Sequence, residues 1–450
     1  MRDVIVTLII FGAVPIILAR AHVGILMWSW IGYMNPHRLC WGFAYSLPFA
    51  QIVGLATLFA LIFNGEKKRF PWCNVTVVWL AFIVWMNITT FFALDFVEAV
   101  PSWEKAMKIQ FFALLTVVMM RSKERVNQLV WAIALSLGFY GIKGGIWAII
   151  TGASERVYGP PGSFIEDNNA IGLALIMTIP LMRYLQMHAQ QKYVRFGLMG
   201  AMFLTALSIL ATHSRGAMLA GCAMGLFLWL KNRQKVLLSI MMAAAIPALL
   251  MLMPQNWFER MGTIETYDED TSAMGRITAW EFAFDMALQR PIGGGYEAFT
   301  AENYQRYSPD IAHAIMLRDG RFQDAHSIYF EVLGEHGFIG LALFLGLGVA
   351  SFRTGSWIIR HARQRQDLAW ASDLAGMLQV SLIGYAVSGA FLGLAYFDLC
   401  YHMVALLVLT RVLVQDALSV PAPSAQITEN EIAPVSASRR RLTVADYIRQ

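Results

Sequence analysis

The sequence predicts an all-α integral membrane protein with about 12 membrane crossings, 13 being the alternative count. Three observations lead there. The 450 residues are 57% hydrophobic and only 14% charged, with a mean hydropathy of +0.52. Soluble domains carry roughly 25% charged residues, and an apolar surface of this size needs lipid as its solvent. The apolar residues gather in runs near the length that spans a bilayer, about 20 residues. The polar links between those runs alternate in charge.

The runs fall at 4–19, 22–34, 42–64, 72–94, 106–120, 127–150, 168–187, 195–211, 216–230, 236–253, 329–352, 368–394 and 399–415. The first two are short and read as one crossing plus a half-length segment. The opening, MRDVIVTLIIFGAVPIILARAH, has the charged start and apolar core of a signal peptide. Arg20 spoils the cleavage site and more apolar runs follow, so it reads as an uncleaved first membrane segment. The links 65–70, 121–125, 183–195, 231–235 and 360–366 are basic, whereas 93–104 and 154–169 are acidic or mixed. Positive residues stay in the cytoplasm. Arg215 and the stretch 254–330 therefore face outward, the C-terminus faces inward, and a count of 12 puts Met1 inside.

Four regions follow: a membrane bundle at 1–253, an outer loop at 254–330, further membrane helices at 331–415 and a cytoplasmic tail at 416–450. The tail is rich in Pro, Ser and Ala and is expected to be disordered. No tandem repeat is visible. The formal charge of +5 is spread in short clusters, which serve membrane orientation and give no reason to invoke nucleic acid. Cys40, Cys73, Cys222 and Cys400 form no CxxC pair and read as small core residues, without a disulfide framework or a metal site.

Polar chemistry concentrates in 254–330, which holds Arg260, Arg276, Arg290, Arg306, Arg318, Arg321, His313 and His326. An acidic approach, Asp268–Asp270, precedes a helix over 274–289. Its apolar residues Ile277, Trp280, Phe284 and Leu288 keep helical spacing, and it stops at Pro291 and three glycines. Arg276 and Trp280 are four apart and share a face. This reads as an amphipathic helix on the outer rim. The next unit, DAHSIYFEVLGEHGFIG at 324–340, opens a crossing. Asp324 or Ser327 can cap it, with His326 in its first turn.

Each residue has a plain reading. Arg215 can snorkel to headgroups, Arg276 can lie on a solvated face, and His326 can bond to backbone. Lys143, in GIKGGIW, is a lone charge that can snorkel as well. Yet Arg215, Arg276 and His326 share one side, each at a helix start. Helix N-termini and arginines suit phosphate. A histidine, with an ordinary pKa of about 6.5, suits deprotonation of a hydroxyl.

At these residues the chain resembles the O-antigen ligase and polymerase superfamily of bacterial envelope enzymes. The resemblance rests on SRGA (214–217), on Arg276 and Trp280 with the following proline and glycines (to 295), and on AHSIYFEVLGEHGFIG (325–340). MNPHRLCWGFAYSLPFA (34–50) and GPPGSFIEDNNAIGLAL (159–175) look like the branch of O-glycosylation ligases associated with exosortase A and exopolysaccharide systems. The resemblance implies a GT-C-like membrane glycosyltransferase fold in the bacterial inner membrane, with a periplasmic active site. It implies a glycan donor on undecaprenyl diphosphate and an acceptor hydroxyl on lipid A–core, polysaccharide or protein. It implies no metal and no other cofactor. Carried over by motif, Arg215 and Arg276 bind the diphosphate and His326 is the general base. Arg260, Arg290, Asn169, Trp280 and Tyr296 complete the candidate substrate-binding set.

Three alternatives stay open: a polysaccharide polymerase, a protein O-oligosaccharyltransferase of the same superfamily, and a transporter of lipid-linked sugars. A transporter would line a central cavity with charge and show paired halves. Here the charge gathers in one outer loop and no halves match.

Overall fold

The structure, a computed structural model, describes residues 1–65, 68–231, 271–318 and 320–419, with part of 236–258. No strand occurs among the described residues. In chain order the helices are α1 (Arg2–Ala19), α2 (His22–Met34), α3 (Phe49–Phe63), α4 (Asn74–Phe91), α5 (Phe96–Met119), α6 (Lys123–Thr151), α7 (Asn168–His188), α8 (Lys192–Ala211), α9 (Arg215–Lys231), α10 (Thr271–Gln289), α11 (Ala301–Tyr307), α12 (Pro309–Arg318), α13 (Ile328–Ala362), α14 (Ala369–Ser388) and α15 (Asp398–Leu418). Among the described residues eight segments are long and apolar enough to cross a membrane: α1, α4, α6, α7, α8, α13, α14 with its flanking turns, and α15. The chain is a multi-pass membrane protein. Helix α3 and most of α9 are shorter apolar helices. The expected run 236–253 lies largely outside the described residues, as do Arg260, the acids 268–270 and the tail beyond Ser419.

The links sort to opposite ends, as their charges require. At one end Arg121 Nη1 donates to the Arg69 carbonyl (3.1 Å), His188 Nε2 meets Asp373 (3.2 Å), and Arg365 Nη1 donates to the Ala417 carbonyl (2.7 Å). At the other, Leu94 N–H donates to Gly294 O (2.8 Å) and Asn168 Nδ2 to Thr212 O (2.8 Å). The first two helices keep the expected lengths, one crossing and one short segment, but change the side on which Met1 lies. They form an antiparallel pair, because the chain reverses at Arg20–Ala21, whose carbonyls accept from Val23 and Gly24 N–H (2.9 and 3.0 Å). Asp3 at the start of α1 accepts from the N–H groups of Gly42 and Ala44 (3.0 and 3.1 Å). Met1 therefore shares the end that carries 93–95 and 152–167, away from the basic links.

Helices α6 and α8 pack at close range because α6 presents glycine. A Cβ on Gly145 would lie 2.2 Å from the Leu204 carbonyl oxygen. Small residues at such seams give membrane helices their van der Waals contact.

Two features set the geometry of the polar end. The first is a break in α13 at Gly337 (φ 65°, ψ −168°). It frees the carbonyls of Gly334 and Glu335, which accept from Gly294 and Gly295 N–H at 2.8 Å each. A Cβ on Gly337 would fall 1.9 Å from the Pro291 oxygen, so only glycine lets the two backbones touch. With the Leu94–Gly294 bond, this stitches the α4–α5 hairpin, the PIGGG turn and α13 into one unit. The second is α10. Its buried face is Ala279, Phe282, Ala283, Met286 and Ala287, whereas Phe284 and Leu288 are 47% and 58% exposed. Of the apolar stripe read from the sequence, Ile277 and Trp280 are half-buried, whereas Phe284 and Leu288 stay exposed. The helix is apolar on two faces, and the face of Ala279, Phe282, Ala283, Met286 and Ala287 is the one that packs.

Candidate active site

The site is assembled from four segments at the polar end. The first is the turn 212–215. Ser214 begins α9: its carbonyl accepts from Met218 N–H (3.1 Å) and its hydroxyl from Ala217 N–H (3.3 Å). Arg215 is thus the first residue of the helix, where the free N–H groups and the dipole favour an anion. His213, at φ 55°, anchors the turn by donating from Nε2 to Ala153 O (3.0 Å). Asn168 holds it from α7 through Thr212 O.

The second segment is α10. Trp280 Nε1 donates to the Ala325 carbonyl (2.7 Å), and its ring stacks on Phe330 (5.0 Å, 7°). This fixes the face carrying Arg276 against the third segment, 322–328. Tyr304 adds a hydrogen bond to Gln323 O (2.8 Å). His326 does not lie in the first turn of α13. Ser327 occupies the cap position, and His326 precedes it at φ 42°, a left-handed conformation that histidine adopts more readily than most residues. His326 as a residue remains open to solvent.

The fourth segment is the start of α7, where Asp167 accepts from Asn169 and Ala170 N–H (2.8 and 3.4 Å). Its charge reaches His326. Surrounding protein, and then the Arg276 charge, hold the His326 imidazole below its ordinary pKa, against Asp324 and Asp167, which pull upward. Burial raises the Asp324 carboxyl, with His326 opposing. Arg276 and His326 are therefore electrostatic neighbours. A Cβ on Gly216 would lie 3.4 Å from Ser388 O, and one on Gly389 would lie 2.7 Å from the Ile328 side chain, so the starts of α9 and α13 both pack against the end of α14.

Other expected residues go elsewhere. Arg290 donates from Nε to Gly293 O (2.7 Å) and from Nη2 to Phe92 O, so it clamps the glycine turn to α4. Tyr296 is only 3% exposed and its hydroxyl donates to Met86 Sδ (3.3 Å); it belongs to the interior, where burial pushes its phenol above the ordinary range. Asn169 sits in the first turn of α7, but its neighbour Asn168 makes the bridge to the 212–215 turn. Arg260 falls outside the described residues. Asp167 was not among the expected residues, although an acid ahead of an apolar run is a capping signal. Nothing in the sequence signalled its approach to His326.

Among the described residues no group of three or more His, Cys, Asp or Glu side chains is placed to hold a metal ion. The arrangement offers one cation at the start of α9, a second, Arg276, in the second turn of α10 and not at its start, and a neutral-leaning imidazole beside Arg276. Such a set can hold a polyanion and take a proton.

Comparison with known families divides the chain in two. Residues 1–190 match a family of unknown function. Residues 200–345 match the family described as O-antigen ligase. No curated protein matches the chain. Arg215, Arg276, Trp280 and His326 come from the second match, and Asp167 and Asn168 from the first.

Proposed function

Because residues 200–345 belong to the O-antigen ligase superfamily, we propose that this chain is a periplasmic-side membrane glycosyltransferase. It moves a glycan from undecaprenyl diphosphate to a hydroxyl on lipid A–core, polysaccharide or protein. The observation that carries the reading is the meeting of Arg276 with His326, with the starts of α9 and α13 both packed against the end of α14.

Arg215 and Arg276 hold the diphosphate, their guanidinium forks matching its oxygens. The acceptor hydroxyl passes its proton to His326 as its oxygen attacks the anomeric carbon. The new carbon–oxygen bond forms while the bond to the diphosphate breaks, and its electron pair leaves on the diphosphate. Charge grows there in the transition state, where cations already in place stabilise it most. Attack opposite the leaving group inverts the anomeric centre. As written, the step uses only these side chains. Trp280 positions the loop through Ala325 and does not touch substrate in this scheme.

The test is transfer by the purified protein from undecaprenyl-diphosphate glycan to each acceptor class. Elongation of the donor itself would identify a polymerase. Arg215→Ala is expected to cost about 2.7–4 kcal/mol of transition-state stabilisation, by analogy with an oxyanion donor. His326→Ala is expected to slow transfer about 10²–10⁴-fold. Full activity in His326→Ala rejects the base, and a retained anomer rejects the single displacement.

A further inference from the structure

The segment matching a family of unknown function carries a second feature, remote from His326. Between α2, α3 and α5 lies an open groove of about 720 Å³. Its floor is apolar. Trp28 and Phe112 stack there (3.6 Å, 5°), and Leu55 and Leu58 of α3 form a wall. From Phe49 to Leu58 the groove follows α3 for about 13 Å, at 1.5 Å per residue. Leu55 is 69% exposed on an apolar helix, so the groove opens toward lipid.

The rim is polar and basic. His37, Arg38 and Lys108 line it. Lys108 is paired with Glu104 (2.5 Å). Arg38 forms no ion pair among the described residues, and its guanidinium lies 4.8 Å above the Tyr45 ring. His37 Nδ1 is buried without a hydrogen-bond partner. The charges of Lys108 and Glu104 cancel, so the rim keeps the net positive charge of Arg38. Trp41 and Phe43, 93% and 57% exposed, stand beside it, where aromatic side chains mark the membrane–water boundary. An occupant must therefore be apolar along its length and anionic at its head. A guanidinium fork beside an unsatisfied imidazole suits phosphate oxygens.

We propose that this groove is a binding site for an anionic phospholipid of the surrounding leaflet, its phosphate held by Arg38 and His37 and one acyl chain lying along α3. Arg38 packs against Gly162, where a Cβ would meet the guanidinium carbon at 3.3 Å, whereas the far end of the same loop, Asp167, faces His326. The loop thus stands between groove and site. The inference rests on the membrane architecture and is independent of the transferase reading.

The test uses the full-length protein in a neutral detergent, titrated with phosphatidylglycerol, phosphatidylcholine or inorganic phosphate and read by native mass spectrometry. Phosphatidylglycerol is expected to bind at least tenfold tighter than phosphatidylcholine. Arg38→Gln, which removes the charge, and Leu58→Trp, which fills the groove, are each expected to weaken it about tenfold. If one variant does not fold, the other decides. Wild-type affinity in a folded variant, equal binding of the zwitterionic lipid, or displacement by inorganic phosphate would each overturn the proposal.

Discussion

His326 owes its chemistry to three neighbours from different parts of the chain. Surrounding protein, and then the Arg276 charge, lower its pKa, while Asp324 and Asp167 raise it. The net shift is downward, so the imidazole is unprotonated over more of the neutral range than a free histidine. A base of this kind works above its pKa and fails as protonation sets in below it. Transfer is expected to lose activity on acidification with a midpoint below the ordinary 6.5. Arg276→Gln removes a lowering charge and should move that midpoint up. Asp324→Asn removes a raising one and should move it down. Rate–pH profiles of the three proteins decide, and coincident profiles would remove His326 as the titrating base. Arg215 illustrates a different dependence. The run of small residues after it announced a membrane helix, and Ser214 announced its start. Which residues packed beside this turn could not be seen, because Ser388, next to Gly216, is far away in sequence.

At the scale of elements, the broken helix α13 and the PIGGG turn depend on each other. The break supplies two carbonyls, and the turn supplies two N–H groups that satisfy them. In a membrane protein an unpaired backbone group away from water costs several kcal/mol, so the pairing keeps the break tolerable. Gly337→Ala forces a Cβ toward the Pro291 oxygen at a positive φ. That backbone region, positive φ with ψ near 180°, is essentially open only to glycine and alone costs an alanine roughly 1–3 kcal/mol. The variant is expected to melt earlier in detergent and to lose transfer as 291–297 separates from α13. An unchanged melting temperature would argue that the stitch carries no stability. The three glycines were visible as a helix stop, whereas GEHG lay inside a run read as one continuous crossing. Their mutual hydrogen bonds were not visible, since neither stretch signals the other locally. Helix α10 shows the same limit. Its length and its end at Gln289 follow from periodicity and proline, but apolar residues on two faces left its buried side undecided.

For the whole molecule, charge alternation leads to two ends for the links. The contacts of Arg121, His188 and Arg365 at one end, and of Leu94, Asn168 and Glu331 at the other, agree with it. The antiparallel α1–α2 pair changes the placement of Met1. With the basic end in the cytoplasm, the N-terminus belongs outside. In a Cys222→Ser background, Ser154→Cys and a tag at Met1 are expected to react with impermeant reagents on intact cells. Gln190→Cys should react only after permeabilisation. A tag reachable only from within would reverse the first helices, and inward labelling of Ser154→Cys would displace the candidate site from the outer face.

Composition, run length and link charge are sums over neighbouring residues, so the sequence alone determined a helical membrane protein, its two-sidedness and the motifs that begin at Ser214, Arg276 and His326. The meeting of α7, α9, α10 and α13, the diversion of Arg290 and Tyr296 to structural contacts, and the pairing of a helix break with a glycine turn were decided only in three dimensions. Those contacts join residues tens to hundreds of positions apart. Their energies depend on which faces pack, and local patterning leaves that choice open.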